Sequence, residues 1–408
     1  MAGSCRGGPV GEGLPIGRRV AYWRGRRRMS QQVFADRLGK SKSWVDKVER
    51  GARSLDKVST LADIAAVLRI DQSVLLGRDT RHSEVRARAD GVERVRAALS
   101  TYEMAVGRLP PREVPPTGQL ARTVEHAWTT YQHARYPQLI EALPRLLLDV
   151  QRAYARDPVP GRESLVEAYR VTASLLVKLG EGELAWLAAD RAMAVATGDA
   201  VLVAAAGVQL GQVLRATGRA RPALAVLRAA AYRIAPPDLD AGPPAHLSLC
   251  GTLLVQAALA AARHGDEGVT ASLLEEAAEL AARVGEGHDH HRTGFGPTAV
   301  AAARMVAATQ LGDVGGAVAW HERTIRAAGW RWLPAEHRAA HLVDAARAHL
   351  QAAEPVDAAR LLLEADGTAP AEVRHRPPAR EVLAQVARSP YAPATIIRLA
   401  TAVGVSPT

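Results

Sequence analysis

Several residue types that define common protein classes are scarce in this sequence. Its 408 residues include only two cysteines, Cys5 and Cys250, and no asparagine. Two cysteines so far apart cannot form a disulfide framework, and they lack the spacing of a zinc knuckle. This use of cysteine is typical of a reducing compartment.

Long apolar runs are also absent. Residues 1–9 contain no apolar core of the kind found in a signal peptide, and we find no run of about eighteen apolar residues that could cross a membrane. The sequence therefore predicts a cytoplasmic protein.

The motifs of common enzyme classes are missing as well. No G-x-x-x-x-G-K-[ST] sequence occurs, and Gly285-Glu286-Gly287 lacks the third glycine of a dinucleotide-binding motif. His337 and His341 share a helix face, but Arg338 follows His337, so the H-E-x-x-H metalloprotease pattern is absent. We predict no enzyme activity, no catalytic residue and no cofactor, and we expect both histidines on the repeat surface.

The densest group of potential metal ligands is the run His288, Asp289, His290 and His291. Consecutive residues in a glycine-rich loop rarely converge on one ion or receive the supporting hydrogen bonds that metal sites have. We therefore interpret this run as a polar loop and predict no metal site.

Positive charge is concentrated at one end of the chain. Residues 1–88 contain 19 Lys and Arg against 9 Asp and Glu, a net of 19 − 9 = +10, whereas the remainder has 52 − 19 = 33 basic and 42 − 9 = 33 acidic residues. Four of the five lysines lie in the basic segment, and only Lys178 lies outside it. Localised charge of this kind attracts a polyanion by phosphate neutralisation and counterion release.

Within the basic segment, residues 29–51 have the pattern of two short helices joined by a tight turn. Ser30 is suited to cap a first helix that runs to about Leu38, and Gly39 tolerates the positive φ that a sharp helix exit needs. Ser41 is suited to cap the second helix. This is the arrangement of a helix-turn-helix.

The apolar residues of this stretch support the same interpretation. Phe34 and Ala35 lie on the inner face of the first helix, and Ala35 is small where the helices would cross. Val45 and Val48 face inward together because they are three residues apart. A helix from Ile16 precedes this pair, and two helices follow it. The first of the two has an apolar stripe of Val58, Leu61, Ile64, Ala65 and Leu68, and Asp71 can cap the second, which ends at Gly77.

Residues 29–51, with the flanking segments 16–28 and 54–77, resemble the helix-turn-helix domain of the Cro and cI repressor type, or XRE family. The resemblance is carried by Ala35, Gly39, Val45, Val48, Glu49 before Gly51, and the closing Leu75-Leu76-Gly77. It implies a five-helix domain over residues 15–78 that binds double-stranded DNA.

The resemblance also implies that residues 41–50 form a recognition helix that enters the major groove. Lys42, Ser43 and Lys47 match the family's base-reading positions, and lysine can donate to the O6 and N7 acceptors of guanine. A G·C-containing operator follows as a preference.

Five further residues are expected to contact the DNA backbone or its flank. Gln31 and Ser41 begin helices, so their N–H groups suit phosphates, and Arg50 and Arg53 can hold the adjacent backbone. Trp44 is expected either to pack against the flank of the domain or to contact sugar and thymine methyl groups.

Domain boundaries follow from composition. Residues 1–14 are glycine-rich and predicted to be a disordered tail. A linker is predicted over 79–118, with a connecting helix at about 78–106 that ends before Pro110-Pro111, and Pro115-Pro116 follows. A helical repeat domain is predicted over 119–408.

The repeat prediction is based on turns with fixed offsets. Small residues recur five and twelve positions after each turn, which lets paired helices approach closely. The turns are Gly180, Gly218, Gly265, Gly312 and Ala353, and the small residues that follow them are Ala185, Ala192, Ala223, Ala230, Thr270, Ala277, Ala317, Thr324, Ala358 and Ala365. With the Leu210-Gly211 pair, this pattern resembles a tetratricopeptide solenoid. The predicted fold is all-α.

This combination of domains resembles a class of actinobacterial transcriptional regulators, in which segments like 295–298 and 369–374 recur. It resembles more distantly the peptide-sensing regulators of Firmicutes, which implies a short peptide in the groove of the repeat domain. We expect a homodimer, with a peptide, a small molecule or a protein as the ligand of the repeat domain. The groove asparagines that commonly hold such peptides are absent, and the available substitutes are Gln209, Gln212, Gln256 and Gln310.

The function predicted is a sequence-specific DNA-binding transcriptional regulator, cytoplasmic and associated with the nucleoid when bound to DNA. In it the repeat domain would serve dimerisation, ligand or partner sensing, or both. The alternative is a protein-interaction scaffold with no specific operator.

Overall fold

The computed structural model describes residues 15–55, 57–70, 72–76, 80–101 and 114–405, and these residues form helices and connecting turns without a strand. The prediction of an all-α fold is confirmed. The chain divides into two compact units, Met1–Asp90 and Gly91–Thr408. The predicted tail, the Asp71 cap and Pro110-Pro111 lie outside the described residues.

In the first unit, residues 15–76, as far as the structure describes them, form five short helices around one apolar core. The helices are α1 (Ile16–Arg26), α2 (Gln31–Leu38), α3 (Lys42–Glu49), α4 (Val58–Leu68) and α5 (Gln72–Leu75). The side chain of Val58 lies outside the described part of the structure, and the other predicted apolar positions face inward. The buried residues include Val20, Phe34, Ala35, Val45, Val48, Leu61, Ile64, Ala65, Leu68 and Leu75. Trp23 packs against this core while remaining partly exposed.

Helix α1 approaches the end of α3 very closely at Gly17. A Cβ atom at this position would overlap the carbonyl oxygen of Val48 and lie 3.2 Å from that of Glu49. Both obstacles are backbone atoms, which cannot rotate away as a side chain can. Glycine is therefore required at this position by packing.

Replacing Gly17 with alanine should destabilise the first unit by about 1–3 kcal/mol or more, because overpacking against backbone displaces a whole helix. Gly25→Ala is the matched control, since nothing lies within 4 Å of a Cβ at Gly25 in the same helix. Hydrogen exchange of α1 and α3 in the full-length protein would measure both variants. Equal protection of the two variants would contradict this account of Gly17.

The second unit begins with the later part of α6 (Thr80–Leu99), and its described residues form fifteen further α-helices and two short 3-10 helices, His290–Arg292 and Ala328–Trp332. The α-helices are α7 (Thr117–Gln132), α8 (Tyr136–Arg156), α9 (Pro158–Leu179), α10 (Gly182–Ala196), α11 (Ala200–Ala216), α12 (Ala220–Ile234), α13 (Pro244–Arg263), α14 (Glu267–Val284), α15 (Pro297–Leu311), α16 (Val314–Arg326), α17 (Ala335–Gln351), α18 (Pro355–Thr368), α19 (Pro370–Arg374), α20 (Pro377–Arg388) and α21 (Ala394–Val403).

The end of α6 belongs to the core of the second unit. Val95 and Leu99 are fully buried there, and the carbonyl of Ala98 accepts a hydrogen bond from Gln151 Nε2 at 3.3 Å. Val85, in the earlier part of α6, is 66% exposed. The compact unit therefore starts at Gly91, earlier than the predicted start at residue 119.

The predicted repeat turns adopt one conformation. Gly180, Gly218, Gly265, Gly312 and Ala353 all have a φ between +60° and +84°. Each turn joins two antiparallel helices, and the ten small residues at the predicted offsets are all buried. A sixth pair, α7 and α8, turns at Ala134 with a φ of +53°. The sequence did not reveal it because Leu139 and Leu146 occupy the offsets where small residues occur elsewhere.

Ala353 is an alanine in the left-handed conformation that four of the predicted turns fill with glycine. An L-residue is strained there by roughly 1–2 kcal/mol. Glycine removes this strain, but its greater conformational freedom in the unfolded chain offsets part of the gain. We expect Ala353→Gly to stabilise the second unit by about 0.5–1 kcal/mol. Ala352→Gly should have the opposite sign, because Ala352 has a φ of −73°. Urea unfolding would compare them, and destabilisation by both would contradict the turn assignment.

Buried charges join α8 and α9, near the start of the second unit, to α17 and α19 near its end. Lys178 at the end of α9 forms an ion pair with Glu336 of α17 and another, at 3.0 Å, with Glu372 of α19. Tyr136 of α8 donates its hydroxyl hydrogen bond to Glu372, and Arg376 lies 3.6 Å from the same carboxylate. Residues far apart in sequence therefore hold the two ends of the repeat array together.

The prediction that His341 lies on the repeat surface is wrong. His341 is 4% exposed, and its Nε2 lies 3.0 Å from Nδ1 of the buried His321 on α16. Trp330 covers the same face, with ring centroids 5.3 Å apart. Burial lowers the pKa of His341 to about 3 and that of His321 to about 4, so both rings are neutral at physiological pH. His337 remains partly exposed.

Within the described ranges one helix, α13, is long and apolar enough to cross a membrane by length and composition, although the sequence analysis expected none. It forms part of the helical core, since 83% of its most apolar window is buried against other helices. Its apolar composition reflects the core position that it occupies between α12, α14 and α15.

Candidate nucleic-acid interface

The local geometry of α2, the turn and α3 follows from three residues. The Ser30 hydroxyl accepts a hydrogen bond from the Val33 N–H at 3.2 Å, and the Ser41 hydroxyl accepts one from the Trp44 N–H at 3.1 Å. Gly39 has a φ of +61° and ends α2. Both predicted caps and the predicted turn are confirmed.

One face of α3 is exposed at its N-terminal end. Lys42, Ser43 and Lys47 are all exposed, while Val45 and Val48 on the opposite face are buried. Ser43 and Lys47 are one helical turn apart, and Lys42 precedes Ser43 at the start of the helix. Three donors of hydrogen bonds therefore stand on one exposed helix face, although their role in reading bases stays a prediction.

A buried carboxylate fixes the orientation of α3, and the sequence analysis did not identify it. Glu49 is 5% exposed and accepts hydrogen bonds from Arg24 Nε at 2.6 Å and Arg24 Nη2 at 2.9 Å. Gln31 Nε2 donates to the same carboxylate at 2.8 Å. The hydrogen bond to Glu49 raises the pKa of Arg24. One residue of α3 is thereby tied to both α1 and α2.

The signal for this anchor was present in the sequence. Glu49 follows Val48 directly and lies four residues after Val45, which places it on the buried side of α3. A carboxylate at such a position requires a cation or donors close by. Arg24 is therefore a structural cation, although it stands in the basic run of α1.

Other arginines of the first unit also bind protein groups. Arg27 Nε donates to the carbonyl of Leu68 at 3.0 Å, at the end of α4, and Arg19 Nη1 donates to the carbonyl of Leu75 at 2.9 Å, at the end of α5. Cations suit helix C-termini, where carbonyl groups lack intrahelical partners. Part of the positive charge predicted from composition therefore stabilises the fold.

The residues predicted for the DNA backbone differ in their surroundings. Ser41 is exposed, and its hydroxyl serves as the cap of α3. Gln31 is half-buried, because its side-chain amide is held by Glu49. Arg50 is exposed and forms an ion pair with Asp46 one turn earlier. An exposed pair of this kind contributes little stability, so Arg50 can exchange it for another anion at small cost.

Trp44 and Arg53 form a contact at the edge of α3. The Arg53 guanidinium lies 6.0 Å from the centroid of the Trp44 ring, which itself packs, half-buried, against the core of the unit. In the structure Trp44 packs on the flank of the domain, which is the first of the two arrangements expected for it.

Comparison with known proteins assigns a class to this unit. A family model described as a helix-turn-helix domain matches residues 15–75. The N-terminal part of the chain is therefore a helix-turn-helix domain, and the chain continues into helical repeats.

Among solved structures, the chain is similar to the crystal structure of Bacillus thuringiensis PlcR in complex with the peptide PapR7 and DNA. The alignment has 13% sequence identity and a TM-score of 0.36, and it covers 76% of this chain and 94% of that chain. No curated protein matches the sequence.

Proposed function

We propose that this protein is a sequence-specific transcriptional regulator of the Cro and cI type, in which α3 enters the DNA major groove. The observation that carries the proposal is the exposed face of α3, with Lys42, Ser43 and Lys47, on a domain of the helix-turn-helix class. Lysine and serine can read base edges in the major groove, and a guanine supplies two acceptors to a lysine. The operator preference is for G·C pairs at these contacts.

In this proposal the flanking residues position the domain on the duplex. The residues that contact phosphates are Gln31, Ser41, Arg50 and Arg53. The ring of Trp44 packs against the Arg53 guanidinium and holds it in place. The excess of basic residues in the N-terminal fifth supports the proposal, because phosphate contacts supply most of the affinity. A neutral surface would give no comparable attraction.

The protein is proposed to act as a cytoplasmic homodimer, bound to the nucleoid through a pseudo-palindromic operator. Two-fold symmetry would place two copies of α3 one helical turn apart along the DNA. The repeat domain would supply dimer contacts, sense a ligand or partner, or do both. A ligand would change DNA affinity to the extent that it binds the two arrangements of the dimer unequally.

Salt dependence tests the electrostatic part of the proposal. With six to eight phosphate contacts per dimer, affinity should fall by about 10³- to 10⁴-fold between 50 and 200 mM salt. Electrophoretic mobility of genomic fragments with the full-length protein, repeated at increasing salt, would measure this dependence. The proposal fails if no fragment is bound in preference to unrelated DNA at any salt concentration.

A further inference from the structure

The helical repeats form a pocket of about 210 Å³ that is partly open to solvent, which we call the central cavity. Helices α7, α11, α13, α15 and α17 contribute to its wall, together with the loop at residues 285–296. Its apolar lining consists mainly of Trp128, Phe295, Val208, Val255, Leu259 and Leu333. Three of the four glutamines singled out in the sequence, Gln209, Gln212 and Gln256, also line it, whereas Gln310 is exposed elsewhere.

The orientation of the Gln209 amide is fixed by a buried arginine. Arg170 is fully buried, and its Nε donates to Gln209 Oε1 at 2.8 Å. Its other nitrogens donate to Glu167 and, at 3.0 Å, to the carbonyl of His291. An arginine can only donate, so the oxygen of Gln209 must face it and the NH₂ group must face the other way.

The Gln209 NH₂ group has no protein partner among the described residues, although the residue is only 4% exposed. The nitrogen itself is not fully buried but reaches the cavity, which the side chain lines. Water or a ligand in the cavity can therefore accept its hydrogen bonds.

Gln256 repeats this arrangement on the neighbouring helix α13. Arg215 Nη2 donates to Gln256 Oε1 at 2.6 Å, which again leaves the NH₂ group of the glutamine without a partner in the described part of the chain. Two parallel helices thus present amide donors to one cavity, each with an arginine behind it. Each arginine polarises its glutamine and strengthens it as a donor.

The charge behind Gln256 is not neutralised. Within the described ranges, no carboxylate oxygen lies within 4.0 Å of a nitrogen of the Arg215 guanidinium, the distance expected of an ion pair. Burial lowers the pKa of Arg215 to about 10, the nearby Arg263 adds to the effect, and Asp344 opposes it. Asp344, which also lines the cavity, is itself paired with Arg376 at 3.4 Å. A half-buried cation without a carboxylate at ion-pair distance favours negative charge close by.

The cavity therefore combines an apolar, aromatic wall with donors supported by positive charge. We propose that the central cavity binds a small organic oxyanion with an apolar body, whose oxygens accept hydrogen bonds from the NH₂ groups of Gln209 and Gln256. This inference rests on the sensing role proposed for the repeat domain, and it specifies the site and the ligand class. Trp128 and Phe295 would contact the apolar body.

Three probes with one two-ring body and different charges test the ligand class. They are 2-naphthoate, the uncharged 2-naphthamide and the cationic 2-naphthylmethylammonium, each added to the full-length protein without DNA. Saturation-transfer NMR and calorimetry should show naphthoate binding at least about tenfold more tightly than the cation, because hydrogen bonds to a charged acceptor are stronger than neutral ones and the cation offers no acceptor. Equal binding of the three probes, or no binding of any up to millimolar concentration, would overturn the proposal.

Gln256→Glu tests the site. The new carboxylate can still accept the hydrogen bond from Arg215, so the fold should be retained. The NH₂ donor of Gln256 is lost, and the new negative charge neutralises the positive charge of Arg215. Naphthoate affinity should fall about tenfold to a hundredfold and affinity for the cation should rise. Gln310→Glu, with the same change at an exposed position of α15, should change neither. Unchanged naphthoate binding in Gln256→Glu would place the anion elsewhere and overturn the assignment.

The ligand proposal and the regulatory proposal can fail separately. Probe binding is measured in the absence of DNA, so it is independent of operator recognition. If naphthoate binds through Gln256 and DNA affinity does not respond to it, the cavity assignment stands and the sensing role fails. If DNA is bound specifically and the probes fail, the cavity assignment alone is rejected.

Discussion

Replacing Lys42 and Lys47 together with alanine should lower affinity for a specific DNA fragment by roughly 30- to 1,000-fold. Each lysine that donates to a guanine contributes about 1–3 kcal/mol of discrimination, and the two side chains stand on the same exposed half of α3. The fold should be unaffected, because neither side chain is buried. Fluorescence anisotropy with a bound genomic fragment and an unrelated duplex would measure the change.

The control removes the same charge from the same domain outside α3. Lys40 and Lys57 are exposed, and Lys40→Ala with Lys57→Ala should weaken both duplexes alike, by less than about tenfold. A larger loss in the control than in the α3 pair would contradict base reading by Lys42 and Lys47. If the Lys42 and Lys47 double variant no longer binds a partner protein but keeps its DNA affinity, the interaction-scaffold alternative is favoured.

Lys178→Met should destabilise the second unit by about 3–5 kcal/mol. The substitution removes the cation that pairs with both Glu336 and Glu372, which are 3% and 0% exposed. Breaking a buried ion pair from one side is far more costly than replacing the whole pair, since the remaining charges stay buried. Arg145→Met is the control, because Arg145 is 77% exposed and pairs only with Asp149 on its own helix. Its effect should stay within about 0.5 kcal/mol.

The effect of Lys178→Met should also depend on pH. Burial opposes ionisation of Glu336, but Lys178 and its neighbours outweigh it, so the pKa of Glu336 is lowered in the folded protein. Its contribution is therefore fully present above the unfolded pKa and is lost as the pH falls through the folded pKa. Without Lys178, burial dominates and raises that pKa, so the variant loses stability as the pH rises.

The difference between the wild type and Lys178→Met should consequently shrink as the pH is lowered from about 7.5 to about 5. Urea unfolding at both values would measure it, with the Arg145→Met control expected to show no such trend. A difference that grows on acidification would contradict the assignment of Lys178 as the compensating cation.

The local features of this fold could be predicted from the sequence. Ser30, Gly39 and Ser41 act through their own backbone and the next few residues, so their types and spacing were sufficient to place both caps and the turn. The repeat turns could be predicted for the same reason. The turn at Ala134 could not be predicted, because the residues five and twelve positions after it are large. An alanine, unlike a glycine, also does not indicate a positive φ.

Features that depend on distant contacts could not be predicted in this way. The overlap that a side chain at Gly17 would cause involves Val48, and His341 is buried against His321 and Trp330, which come from other elements. Lys178 was visible as the one lysine outside the basic segment, but its partners come from α17 and α19, more than 150 residues away along the chain. Base reading by Lys42, Ser43 and Lys47 stays a prediction.

Selection of bound fragments from genomic DNA by the full-length protein would test the central claim most directly. The account predicts enrichment of fragments that share one pseudo-palindromic site, with G·C pairs at the positions facing α3 and half-sites one helical turn apart. The same selection with the Lys42 and Lys47 double variant should lose that site. Recovery of fragments without a shared sequence, at every salt concentration, would contradict the account.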